Sequence, residues 1–491
     1  MELAEMIGIG SAVVLIAALA VRVSTRLGLP SLLLYLAIGV LLGEAGIGIE
    51  FDNPRLTQHL GIAALVMILA EGGLTTRWSN VRPALKEGLA LATVAVAVSV
   101  GVAAVGFHYL LGLDWHTAFL WGGVLASTDA AAVFSVLRSV GVSKRLAGTL
   151  ELESGLNDAP VYIVVVLLVS SATVDWGFPL LIGYQLVFGG VIGLAAGWLG
   201  ARALRRAALP ATGLYPLATV AVCFAAFAAG QLSGASGLLA TYVAGLVLGN
   251  SRLPHRSDTL SFAEGVGWLA QIGLFVFLGL FASPGRLLDA LVPGLVAAGV
   301  VSLLARPISV VLSVYPFRMP WREQAFLSWA GLRGAVPIVL TTIPLSEGLP
   351  GAAYLVDVVF VLVIVLTLVQ ASTLPALARL LRLERGAEPR EVEVDAAPLD
   401  TMGAELLQVR IQPGSRLHGV YLSELRLPVG ASLSLIVRDG AGFTPQPGTR
   451  LQERDQLLVV VTARQREATE RRIRAVDRAG RFARWKGESG R

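Results

Sequence analysis

Between Met6 and Leu381 one apolar segment after another is long enough to cross a hydrocarbon layer, with only short polar or basic connections between them. The candidate spans are residues 6–21, 31–43, 60–74, 84–110, 117–137, 146–171 and 180–203, followed by 214–231, 233–249, 265–282, 289–314, 324–344 and 354–381. Hydrophobic residues make up 55% of the chain and charged ones 15%, and the charges are densest after residue 380. The expectation is an all-α polytopic membrane protein of about thirteen transmembrane helices, followed by a small α/β cytoplasmic domain. Glu2 and Glu5 precede the first segment, where a secretory signal carries positive charge, so that segment reads as a retained span. The lone Cys223 excludes an intramolecular disulfide.

Lys and Arg in the connections set the orientation, because positive charge collects on the cytoplasmic side. Seventeen of them fall on one set of alternate connections, whereas the opposite set holds Arg55 and Arg286. The N-terminus is thus expected outside and the C-terminus in the cytoplasm. The net charge of +5 reflects these clusters and a basic end, not a nucleic-acid surface.

The sixth segment carries Glu153-Ser154-Gly155-Leu156-Asn157-Asp158. On a helix starting at residue 146, Asp158 lies about 18 Å along the axis, near the middle of a layer about 30 Å thick. A carboxylate there faces a water-filled cavity or a partner and marks an ion or proton path. Ser154, one turn away, shares its helical face. Glu71, Asp129, Glu153, Asp158, Arg306 and Arg333 are the deep ionisable residues, and Glu71, Asp129 and Arg333 fall near the depth of Asp158. Arg306, within about two turns of its span's end, is expected to snorkel to the surface.

Spans one to six and eight to thirteen suggest inverted repeats, whose hallmark is a pair of interrupted helices at matching positions. Ser127-Thr128-Asp129 in the fifth span and Gly331-Leu332-Arg333-Gly334-Ala335-Val336-Pro337 in the twelfth occupy matching places. Proline and glycine loosen the latter.

These three motifs, in this order, resemble the monovalent cation/proton antiporters, and within them the NhaP-type, Asn-Asp branch. The resemblance covers essentially the whole membrane part. It implies two crossed, unwound helices with the ion between them. Asp158 would bind proton and cation in turn, with Asp129, the Thr128 carbonyl and Ser154 beside it, Asn157 supporting the site and Glu71 an acidic neighbour. Glu153 and Arg333 would form a structural ion pair. The family often has proline after the fifth-span Asp, where this chain has Ala130. The branch is associated with electroneutral exchange, and the chemistry agrees, because Asn157 cannot carry charge.

Composition shifts at Leu383, dividing the chain into an exchanger domain (1–382), a polar linker (383–402), a regulatory domain (403–478) and a basic tail (479–491). In the regulatory domain, strands are expected at 405–411, 431–438 and 456–462, and helices at 420–425 and 464–476, with Pro413-Gly414, Asp439-Gly440 and Pro447-Gly448 as turns. The stretch Val409-Arg410-Ile411-Gln412-Pro413-Gly414-Ser415 resembles the C-terminal regulatory (RCK-C) domain of TrkA, which implies a small cytoplasmic ligand such as a nucleotide. No Gly-x-Gly-x-x-Gly follows a strand, which argues against NAD.

The resulting expectation is a secondary antiporter of a bacterial inner membrane, not an enzyme, without cofactor and paired as a homodimer by resemblance. It exchanges K+, favoured over Na+, for H+ across the bilayer. A Na+/H+ antiporter, a tail-gated cation channel and a degenerate exchanger acting as a sensor are the alternatives. Currents would distinguish the channel, and a transport assay the sensor.

Overall fold

The structure, a computed structural model, describes residues 3–27, 31–44, 46–49, 53–129, 142–170, 177–383, 393–399, 404–462, 464–480 and 483. Two compact units divide the chain, Met1–Glu384 and Arg385–Arg491.

The first unit is helical. In chain order it contains α1 (Leu3–Leu27), α2 (Ser31–Leu42), α3 (Pro54–Thr75), α4 (Leu85–Leu111), α5 (Trp115–Val124), α6 (Lys144–Val169), α7 (Gly177–Arg206) and α8 (Leu214–Leu232). Then follow α9 (Gly237–Gly249), α10 (Arg256–Phe281), α11 (Leu291–Gly299), α12 (Arg306–Val314), α13 (Trp321–Trp329), α14 (Ala335–Ser346) and α15 (Ala352–Leu380). Eight described helical segments have the length and hydropathy to cross a membrane, and four shorter apolar helices accompany them. The expected thirteenth is the fifth span, which is helical only to Val124 before it unwinds, and residues 130–141 lie outside the described residues.

Side chains at the helix starts explain several boundaries. Asn53 accepts from the Leu56 N–H, Asp114 from Thr117, Ser143 from Leu146 and Ser236 from Leu239, each satisfying a donor the first turn leaves over. At Asp114, between two spans, the Thr117 bond also holds the carboxyl below its usual range.

Two groups of helices meet along α3, α6 and α14. In one, α9 packs on α3, α7 and α8, and α10 packs on α2 and α3; in the other, α4 packs on α5, α6 and α12. Lipid provides no hydrophobic drive between helices, so close backbone approach at small residues matters. Gly39 and Gly279 make such an approach between α2 and α10: a Cβ on Gly39 would stand 2.8 Å from the Gly279 Cα.

The expected interruptions are both present, and they touch. After Val124 the backbone leaves the helix, and in the twelfth span residues 330–334 separate α13 from α14. The Asp129 N–H donates to the Leu332 carbonyl at 2.8 Å, tying one break to the other. Pro337 cannot donate to the Arg333 carbonyl one turn back, and the Thr367 hydroxyl reaches that carbonyl at 3.3 Å instead. A further irregularity joins α11 to α12: residues Val300–Ala305 form a π-turn, and Pro307 follows it.

The second unit holds a five-stranded antiparallel sheet in the order β1-β2-β5-β3-β4. Its strands are β1 (Glu393–Leu399), β2 (Ala404–Arg410), β3 (Ala431–Arg438), β4 (Ala441–Phe443) and β5 (Gln456–Thr462), with helices α16 (Leu422–Leu425) and α17 (Arg466–Ala479). Alternate residues of β2 and β5, among them Leu407, Val409, Leu457, Val459 and Val461, form the core with Ile473 and Val476 of α17. Arg438 forks onto the fully buried Asp455 with two 2.8 Å bonds. The linker reading of 383–402 is corrected here, because 393–399 is a strand. It lies at the sheet edge, where a proline such as Pro398 is tolerated.

Candidate functional site

Asp158 comes from the middle of α6 and is 5% exposed. The Ser127 hydroxyl, from the unwound stretch after α5, donates to its Oδ1 at 2.6 Å. On the neighbouring residue, Asn157 Nδ2 donates to the Thr128 hydroxyl at 2.6 Å. One turn of α6 therefore grips the break of the fifth span through two successive side chains.

Asp129 approaches the second break. Its carboxylate lies against Gly334, the residue before α14, where the positive end of that helix's dipole favours an anion. A Cβ on Gly334 would overlap this carboxylate. Gly334→Ala is therefore expected to displace Asp129 and reduce exchange at least as much as Asp129→Asn, with normal membrane insertion; flux measured at matched protein levels checks this.

A cavity of about 260 Å³ runs to Asp158. Thr128, Asp129, Ser154 and Glu71 line it as well, so five of the six residues read from the sequence as ion ligands share one space. Asn157 is not in the wall; it acts from behind, through Thr128. Gly267 of α10 leaves room for Glu71, since a Cβ there would stand 2.8 Å from the Glu71 Cγ. The cavity also includes Ser31, Thr75, Thr76, Glu151 and Glu264, which sit toward the helix ends that carry the basic connections. Around Asp158 the walls are apolar, with Leu65, Leu69, Leu274, Phe275, Ala335 and Val336. The polar lining thus extends toward the basic side.

The expected Glu153–Arg333 ion pair is not what the structure contains. Glu153 pairs with Arg306: Nη2 donates to Oε2 at 2.9 Å and Nη1 to Oε1, and both side chains are nearly inaccessible. The same guanidinium donates to the Leu327 carbonyl at the end of α13, from Nε at 3.3 Å and from Nη2 at 3.1 Å. Arg306 therefore does not snorkel. The π-turn ahead of it redirects the chain so that its side chain faces inward, a use typical of π-bulges near functional sites. Arg333 instead donates from Nη1 to the carbonyls of Ala126, at 2.8 Å, and Ser127. These carbonyls lie just past the end of α5, where a helix lacks donors, so Arg333 serves as a cap on the broken fifth span.

The sequence reading missed Arg306 as a core residue, and it missed Glu151, Thr76, Tyr242 and Glu264 as cavity residues. For Glu151 a signal was present: it precedes Asp158 by seven, which returns it to the same helical face.

The description "sodium/hydrogen exchanger, transmembrane" matches residues 12–380, and "TrkA-C domain" matches residues 406–474. The K(+)/H(+) antiporter NhaP of Alkalimonas amylolytica is 37% identical over 458 residues, covering 91% of this chain and 79% of that protein. NhaP2 of Shewanella baltica, also named a K(+)/H(+) antiporter, is 36% identical over 94% of this chain and 81% of its own. The Na(+)/H(+) antiporter NhaS2 of Synechocystis is 31% identical over 68% of this chain and 63% of its own length. Among solved structures, the sodium proton antiporter MjNhaP1 of Methanocaldococcus jannaschii at pH 8 shares the membrane fold, with a TM-score of 0.68 and 22% identity, over 78% of this chain and all of that one. A model match across three quarters of the chain and relatives similar over nearly its whole length establish the family: this multi-pass membrane protein belongs to the sodium/hydrogen exchangers and carries a TrkA-C domain after its membrane part.

Proposed function

We propose that this chain exchanges K+ for H+ across a bacterial inner membrane by alternating access, one ion for one, with its N-terminus outside and its C-terminus in the cytoplasm. The observation that carries this reading is Asp158, a buried carboxylate in a cavity that it shares with Asp129, Thr128, Ser154 and Glu71. One group that takes either a proton or a cation makes the two compete, and competition at a single site is what couples opposite fluxes. Asn157 cannot ionise, so Asp158 trades one charge for one.

The basic connections favour this orientation, and with it the cavity faces the cytoplasm. Two relatives named for K+/H+ exchange, similar over nearly the whole chain, favour potassium. Ion roles are assigned accordingly: Asp158 as carrier, Asp129, Thr128 and Ser154 as its neighbours, Glu71 at the wall, and Asn157 as a support. The family resemblance supports a homodimer as the working assembly.

Proton flux in everted vesicles, with K+, Na+, Rb+ and Li+ added separately, tests the proposal. The largest flux is expected with K+ and without net current. Flux with none of the four would sink the antiport reading, and large uncoupled currents would favour a tail-gated channel.

In this reading the sheet-bearing tail is a regulator with a small cytoplasmic ligand such as a nucleotide, for every proposed ion residue precedes residue 340. A chain ending near Leu383 should still exchange ions, with an altered pH profile or a lost response to ligand. A ligand can shift transport only by binding two states of the membrane part unequally. A truncated protein that inserts normally yet transports at no pH would make the tail part of the transport core.

A further inference from the structure

We infer that Glu151, Thr76 and Tyr242 build a second station for a monovalent cation, two helical turns from Asp158 toward the cavity mouth; the inference rests on the antiport reading above. Glu151 and Asp158 both line the cavity. Seven residues apart on α6, they share a helical face and are separated by about 10 Å along the axis.

The chemistry at Glu151 is that of an unfinished coordination shell. Thr76 is 2% exposed, and its hydroxyl lies 2.6 Å from Glu151 Oε1 and 2.7 Å from the Gly72 carbonyl. A hydroxyl has one proton and cannot donate to both acceptors. The Gly72 carbonyl also accepts the Thr76 N–H at 3.1 Å, so the hydroxyl proton goes to the Glu151 carboxylate without a cation and can swing to Gly72 when a cation is ligated by both oxygens. Tyr242, from α9, is also 2% exposed, and its hydroxyl neighbours the same two groups without a hydrogen-bond partner among the described residues. Carboxylate, threonine hydroxyl and phenol are hard oxygen donors, the type that suits alkali cations.

The surroundings hold these groups in place. Asn250 Nδ2 donates to the Thr76 carbonyl at 2.9 Å, while its Oδ1 accepts from the Trp78 N–H at 2.8 Å. Gly155, one turn beyond Glu151, lets the Tyr242 ring lie against α6; a Cβ there would stand 2.6 Å from the ring Cζ. Glu71 and Glu264 line other parts of the cavity and add to its negative field. A cation entering from the mouth would exchange part of its hydration shell at Glu151 before it reaches Asp158.

The test uses the full chain. Glu151→Gln is expected to raise the apparent KM for K+ in vesicle flux roughly tenfold, the effect of losing one charge-assisted ligand, with maximal flux largely kept. Tyr242→Phe, which removes only the phenol oxygen, should raise KM in the same direction by a smaller factor. In detergent, the Asp158→Asn protein should retain a saturable Rb+ site that the Asp158→Asn/Glu151→Gln protein lacks. An unchanged KM in both single variants, or no Rb+ bound to Asp158→Asn, overturns the station. A wild-type chain without cation-dependent proton flux instead overturns the antiport reading, and Rb+ binding alone then decides the station.

Discussion

Asp158→Asn is expected to reduce cation-dependent proton flux to the level of vesicles without the protein, while the variant still inserts and folds. The substitution keeps the shape of the side chain and leaves an acceptor for the Ser127 hydroxyl, so the contact between α6 and the broken fifth span survives. What disappears is the group for which proton and cation compete. Asparagine neither releases a proton at any working pH nor neutralises a cation taken out of water, and a desolvated cation without a counter-charge is costly. Asp129→Asn should also cripple transport, because the carboxylate beside Gly334 belongs to the same cavity. Flux measurement across the pH range at matched expression checks both. Substantial K+- or Na+-dependent flux from well-expressed Asp158→Asn protein would remove Asp158 from the carrier role.

The second large effect concerns stability. Glu153→Gln leaves the Arg306 guanidinium buried without its counter-ion, and breaking one side of a buried pair costs about 3–5 kcal/mol. Arg306→Gln should cost a similar amount from the other side and also release the Leu327 carbonyl at the end of α13. The double variant should recover much of the loss, since neither charge then remains stranded. Glu153→Gln combined with Arg333→Gln should show no such recovery, because Arg333 holds carbonyls of the fifth span and not this carboxylate. Thermal unfolding in detergent of the two double-mutant cycles distinguishes the pairs. Recovery in the Arg333 cycle and additivity in the Arg306 cycle would reverse the assignment.

The membrane architecture was legible because its physical signal is local. A helix in lipid must be apolar over its own length, so the spans, the fifth and twelfth interruptions and the inward-facing carboxylates are written in contiguous residues. The strands β2, β3 and β5 likewise follow from alternation between turns. β1 was missed because its seven residues include two acids and a proline, and only pairing with β2 makes them a strand.

By itself, then, the sequence determined a multi-span membrane protein with Asp158, Asp129 and Glu71 near one depth and Ser154 on the face of Asp158, since depth and face along a helix follow from counting residues, whereas Thr128 came from the family resemblance. Only the tertiary structure decided which cation meets which anion. Counting along the spans put Arg333 near the depth of Asp158 and Arg306 near the end of its span, and the resemblance gave Glu153 to Arg333; neither shows which guanidinium reaches the carboxylate. The choice rests on side-chain direction: a π-turn directs Arg306 toward Glu153, and the unwound end of α5 offers Arg333 two carbonyls in need of donors. Such directions depend on how helices distant in the chain cross, which no local pattern records.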